Sequence, residues 1–200
     1  QPVWWHYKYE PSREFLENTA YPVVRDIADF QANFIDVCEK TDDGKIVLAP
    51  TVSPEHWGWT KQFERNRNCA FCLGMFRYMF AAAIEGAETL GCDADKVARW
   101  KKAVTLLPDY PLSGDEPPVV VDVQGAPPIG YNISVPATPV FPGDVVSIWS
   151  PAAQQELFSR TIGGLRWNGN NAAIMLSVSR ARLSMSETLP WVREELTARL

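Results

Sequence analysis

Apolar residues recur along most of this chain at intervals of three and four, the spacing that lays one stripe down a helix. Residues 11–18 read as a short helix with Phe15 and Leu16 on its apolar side. Tyr21-Pro22 opens a longer one, with proline in the first turn and Val23, Val24, Ile27, Phe30, Phe34 and Ile35 at helical spacing. A third begins near Asn68 and runs through Leu90. Its wide apolar face (Phe71, Leu73, Met75, Phe76, Met79, Phe80, Ile84) predicts deep burial, and Gly91 closes it. Asp93 is placed to cap a helix from Ala94 to Leu106, which Pro108 ends. Further starts are legible at Ser150-Pro151, at Asn170 or Asn171, and at Leu189-Pro190-Trp191.

Three stretches break this rhythm. Lys45 to Ala49 is strand-like and follows a turn at Thr41-Asp42-Asp43-Gly44. Residues 51–68 mix proline, glycine, tryptophan, charges and amides without a period, which predicts a long loop; its aromatics argue against disorder and for a function. Residues 109–141 are proline-rich and contain the β-prone run Val119-Val120-Val121-Asp122-Val123, an extended excursion with short strands. The expected fold class is therefore mainly all-α, helical hairpins with short β segments in long connections. An α/α toroid has that form. The pattern supplies fewer helices than a closed toroid needs, so residues 1–200 are expected to be an internal fragment of one larger domain.

Composition narrows the partners. At 200 residues and 46% hydrophobic content the chain can fill an ordinary core. Nineteen Lys and Arg against 24 Asp and Glu give 19 − 24 = −5, with no long basic patch, which argues against nucleic acid. Eight Trp and six Tyr offer apolar faces with polar edges, suited to sugar rings as well as to core packing. Cys38, Cys69, Cys72 and Cys92 lack the spacing of a disulfide framework and are expected as free, largely buried thiols. Cys69 and Cys72 form a C-x-x-C, but no second Cys or His pair follows and the histidines are only His6 and His56, so neither a metal nor another cofactor is expected. No apolar run reads as a membrane span in this segment. No secretory leader is legible either, and targeting information is expected outside residues 1–200.

Glycosidic cleavage needs one carboxylic acid to protonate the leaving oxygen and a second group to activate water or attack the sugar. Glu55, in Ser53-Pro54-Glu55-His56-Trp57, suits the first role: proline stiffens the backbone before it, and His56, Trp57 and Trp59 are placed to reduce its hydration. The same tripeptide is an equally simple helix start, with Ser53 as cap and proline at the first position. Arg65-Asn66-Arg67-Asn68 could grip hydroxyls or hold a carboxylate, or could simply begin the next helix. Gly163 to Asn171, with Trp167 as a platform and Asn170 among its amides, could line a sugar site or be an ordinary loop. The candidate site is thus Glu55 as acid, with His56, Trp57, Trp59, Arg65, Asn68, Trp167 and Asn170 as substrate-binding residues.

The order Trp5-His6-Tyr7-Lys8-Tyr9, then Glu14-Phe15-Leu16, then Ala20-Tyr21-Pro22-Val23-Val24-Arg25-Asp26-Ile27-Ala28-Asp29-Phe30, then Ala49-Pro50-Thr51-Val52-Ser53-Pro54-Glu55-His56, resembles the catalytic barrel of glycoside hydrolase family 95. Glu85-Gly86-Ala87-Glu88-Thr89-Leu90-Gly91-Cys92-Asp93 extends the likeness; Phe141-Pro142-Gly143 and Arg180-Ala181-Arg182-Leu183 carry it more loosely. Members act mainly as α-L-fucosidases, some preferring α-L-galactosides. The resemblance implies a six-hairpin toroid, an oligosaccharide or glycoconjugate substrate, exo-hydrolysis with inversion, and Glu55 as the general acid. It also implies that the water-activating asparagines and aspartate fall outside residues 1–200, so that this segment alone is inactive. The chain departs from the family where a histidine-rich motif should precede Phe-Pro-Gly: residues 132–140 hold no histidine. Competing readings are a non-catalytic or degenerate sugar-binding toroid and a toroid phosphorylase or lyase. An extracellular or periplasmic setting is suggested by the substrate class alone.

Overall fold

The computed structural model describes residues 1–129, 133–166 and 169–199, and in them the chain is all-α. The helices are α1 (Pro2–Tyr9), α2 (Arg13–Phe15), α3 (Tyr21–Val37), α4 (Ala70–Leu90), α5 (Ala94–Leu106), α6 (Ala152–Gly164), α7 (Gly169–Arg182) and α8 (Thr188–Arg199). A π-helical turn, Leu16–Ala20, joins α2 to α3 without a break, so the short predicted helix and the longer one form a continuous rod. The rod starts on Ser12, whose Oγ accepts the Phe15 N–H at 3.2 Å. Ser12→Ala is expected to cost about 1 kcal/mol, measurable as a lowered urea midpoint, because that donor loses its partner.

Two compact units emerge. The first comprises Gln1–Leu48 and Met75–Pro108. Its seam on α3 is Tyr21, Val24, Ala28, Ala32 and Ile35, all buried, whereas Val23 and Phe30 of the expected face are exposed, the latter by 66%. Two of the five are alanines, Ala28 and Ala32, whose small side chains suit positions with little free space. Gly86 obeys the same constraint: a Cβ there would stand 2.8 Å from the Tyr21 ring. Trp100 of α5, fully buried, donates its Nε1–H to Asp29 at 3.0 Å. Asp93 sits at the start of α5 but caps nothing with its side chain; its carboxylate instead accepts the Tyr21 hydroxyl at 2.6 Å. Burial and this carboxylate together push the Tyr21 phenol up. Gly91 closes α4 as expected, with φ +71 and Cys92 N–H reaching back to the Ala87 carbonyl at 3.0 Å.

The second unit comprises Ala49–Gly74 and Asp109–Leu200. Its interior is built on Phe158 and Ile162 of α6, Leu176 of α7 and the buried Val120, Val121, Val123, Val135, Val140 and Val146. Tyr110 meets Phe158 edge-on at 5.3 Å. The expected short strands reduce, among the described residues, to isolated antiparallel bridges, Lys40 with Ile46 in the first unit and Leu112 with Val120 in the second. The second bridge rests on Ser113 N–H to Val119 O at 2.8 Å and Val121 N–H to Pro111 O at 2.9 Å, and the pairing goes no further, with Val120 N–H turned to the Thr161 hydroxyl at 3.0 Å.

Two composition-based expectations change. The cysteines are free thiols, but only Cys69 is buried; Cys38 and Cys72 are half-buried and Cys92 is exposed. α4 is, after all, long and apolar enough to cross a membrane by length and composition. More than half of that stretch is buried inside the protein, which is how a core helix meets the same test.

Candidate functional site

The candidate site lies in the second unit, on the connection that precedes α4. Residues 51–60 form turns and irregular backbone, so Ser53-Pro54-Glu55 is not a helix start. Ser53 caps no helix: its Oγ donates to the Asp122 carboxylate at 3.1 Å, and its carbonyl accepts the His56 N–H at 3.1 Å. Glu55 is exposed, so the neighbouring rings leave its carboxyl in solvent. Its φ of +60 and the +63 of Trp57 lie in the left-handed region that side chains other than glycine seldom adopt.

Asp122 is the hub beneath this loop. It is 1% exposed, and its Oδ2 takes both the Ser53 hydroxyl and His56 Nδ1. With the carboxylate ionised, His56 donates Nδ1–H to it. Burial pushes the Asp122 carboxyl up, and His56 and then Ser53 pull it back. Its Oδ1 is buried and has no hydrogen-bond partner among the described residues. The Asp122 carbonyl accepts Ala70 N–H at 2.9 Å, which ties the hub to the first turn of α4.

Asn66 shapes the rest of the loop. Fully buried, its Oδ1 accepts from the Thr60 N–H (2.9 Å) and hydroxyl (2.8 Å), and its Nδ2 donates to the carbonyls of Thr51 (3.0 Å) and Gly58 (2.7 Å). The loop it gathers carries the aromatics outward. Trp59 is 67% exposed and meets the half-exposed Phe63 edge-on at 5.8 Å. Trp57 is half-buried beneath the Arg65 guanidinium, 5.4 Å from the ring centre, and its buried Nε1–H has no partner among the described residues. Asn68 is buried and donates to Gln124 Oε1 at 2.8 Å.

Glu55, His56, Trp57, Trp59, Arg65 and Asn68 thus share one loop. Trp167 and the Asn170 side chain lie outside the described residues. Sequence reasoning missed Ser53 as an anchor, Asn66 as the loop's interior amide, Phe63 as the companion of Trp59, and Asp122. Locally Asp122 stands out only as a single acid inside a run of valines, which names no role for it. Cys69 and Cys72 share a thiol hydrogen bond that lowers Cys69 and raises Cys72. Among the described residues no three His, Cys, Asp or Glu side chains converge as metal ligands.

Comparison with known proteins places this loop in context. The family model described as the glycosyl hydrolase family 95 catalytic domain matches residues 1–116, a span that contains the whole Glu55 loop and stops just short of Asp122. The chain is also similar to alpha-L-fucosidase 2 of Arabidopsis thaliana, at 26% identity over 118 residues. That alignment takes in 56% of this chain and 14% of the plant protein, so the chain spans a small part of its relative's length. With more than half of its residues inside the catalytic-domain match, the chain belongs to glycosyl hydrolase family 95.

Proposed function

We propose that the protein is an inverting exo-glycosidase of the α-L-fucosidase type, that Glu55 is its general acid, and that residues 1–200 form an internal part of a single six-hairpin α/α toroid. The observation that carries this reading is the Glu55 loop itself: inside the family match, not helical, and presenting both an exposed Glu55 and an exposed Trp59. An acid that must reach a glycosidic oxygen has to stand out from its backbone, and a helix start would have left it lying along the first turn.

In the proposed reaction the Glu55 carboxyl gives its proton to the leaving oxygen as the glycosidic bond breaks. Water, activated by groups elsewhere in the protein, attacks the opposite face of the sugar and inverts the anomeric centre. Trp59 and Phe63 offer apolar ring surface to the sugar's C–H face, and Arg65, held over Trp57, lends a cation to the same loop. On this reading the isolated segment has no turnover, since it lacks the water-activating half. The test is to follow hydrolysis of an aryl α-L-fucoside by the full-length protein with proton NMR. The β-anomer is expected first, with the α-anomer appearing only by mutarotation. α-L-Fucose as the first product would overturn inversion, and a requirement for phosphate or an unsaturated product would place the protein among phosphorylases or lyases. The absence of histidine from residues 132–140 favours a second reading, a toroid that binds sugar without cleaving it. Binding of the fucoside without any turnover by the full-length protein would select it.

A further inference from the structure

We propose that Asp122 is the positioning residue of the acid loop: one buried carboxylate holds Ser53 and His56, the two residues that bracket Pro54-Glu55, and thereby fixes where the Glu55 carboxyl stands. The inference rests on the reading of Glu55 as the acid.

The first argument is strain. A side-chain-bearing residue in the left-handed region is strained, and the loop accepts this twice within three residues, at Glu55 and Trp57. Such a conformation persists only where its surroundings determine it. Here the bonds that do so converge: the Ser53 hydroxyl and His56 Nδ1 both end on Asp122, and the His56 N–H closes the turn on the Ser53 carbonyl. The turn containing Glu55 is therefore closed from both ends by one carboxylate.

The second argument is that packing alone gives no reason for an acid at this position. Val120, Val121 and Val123 are buried around it, and a fourth apolar residue would fill the space without the cost of burying a carboxyl. The carboxyl is not even fully satisfied, since Oδ1 lacks a partner among the described residues. What the acid adds is direction. Its platform is stiff, because the Asp122 carbonyl holds Ala70 N–H and Val121 N–H is fixed on Pro111 O. Among the described residues, His56, Ser53 and the Cys69 thiol bear on Asp122 electrostatically or through hydrogen bonds. Asp122 is buried beneath the loop and acts on the substrate only through Glu55 and His56.

The experiment compares the full-length protein with its Asp122→Asn variant, which keeps the volume and removes the charge. With a fucosylated oligosaccharide, whose leaving group needs the acid's proton, kcat is expected to fall roughly 100-fold, as a misplaced catalytic group does, while KM changes by less than about twofold. In nitrogen NMR the His56 ring should lose its fixed Nδ1–H form, and the amides of residues 55–57 should exchange faster while those of α7 do not. An unchanged kcat, or an unchanged His56 tautomer, overturns the proposal. If Asp122→Asn does not fold, Ser53→Ala and His56→Gln each remove one bond from the loop side; wild-type kcat in both overturns it equally. The NMR and exchange readouts do not need turnover. They judge Asp122 even if Glu55→Gln retains full activity, a result that would sink the reading of Glu55 and leave loop positioning separately decided.

Discussion

Glu55→Gln in the full-length protein is expected to lower kcat on an oligosaccharide substrate by about 10²–10⁴-fold while leaving ligand binding within a few-fold of wild type. The amide matches the carboxyl in shape but has no acidic proton to give, so the leaving oxygen would depart as a poorly stabilised alkoxide. The loss should depend on the leaving group. An aryl glycoside whose phenol leaves readily needs less protonation, so its kcat should fall much less than that of the natural linkage. This difference separates acid catalysis from general damage to the site, which would depress both substrates alike. Equal losses on the two substrates, or a loss below about fivefold on the oligosaccharide, would remove Glu55 from the acid's role. Unchanged binding and no activity in either protein would instead favour the sugar-binding reading.

How much of this was legible in the sequence depended on whether a feature was local. α4 and α5 were readable because periodicity, Gly91 and Pro108 all act within a turn of the helix they bound. The N-terminal helix, α1, was not: of its eight residues only Trp4 is buried, so Trp4-Trp5-His6-Tyr7 show no apolar stripe. The face of α3 was misjudged for a related reason. Hydrophobicity favoured Val23 and Phe30, but the close seam is lined by Ala28 and Ala32, whose small size matters more than their hydropathy. The strand-like valines form only the one bridge, with Val121 N–H on Pro111 O, and the rest was non-local: Val120 N–H goes to the Thr161 hydroxyl, 41 positions away.

The candidate site divides along the same line. The exposed half, Glu55 with its aromatic neighbours, could be named from residue types in one loop. The buried half could not. Asp122 lies 69 positions from Ser53 and 66 from His56, and nothing local distinguishes a carboxylate that organises a loop from one on a strand's outer face. Asn66 was seen as one of four polar residues before a helix, each with the same apparent claim on a ligand. The fold separates them: Arg65 stacks on Trp57, Asn68 bonds Gln124, and Asn66 is used up entirely in holding the loop to itself.

That distinction makes Asn66→Asp the most damaging conservative change in the loop. The replacement keeps the oxygen that accepts from Thr60 but exchanges the donating nitrogen for a second oxygen, which then faces the carbonyls of Thr51 and Gly58. Two attractive contacts become repulsive, and a negative charge is placed where the native residue is fully buried. A loss of about 3–5 kcal/mol is expected, the range for an uncompensated buried charge. Asn66→Ala should cost less, about 2 kcal/mol, because it leaves carbonyls unsatisfied without adding repulsion. Native-state hydrogen exchange of the full-length protein distinguishes these outcomes residue by residue. The Thr60 and Arg65 amides, which close the loop on the Asn66 side chain and the Thr60 hydroxyl, should lose protection first, while amides in the middle of α5 keep theirs. If Asn66→Asp protects Thr60 and Arg65 as well as wild type does, the loop is held by something other than this amide. If the loop opens as expected, kcat should fall with it even though Glu55 is intact, because an acid on a melted loop no longer stands where the glycosidic oxygen is.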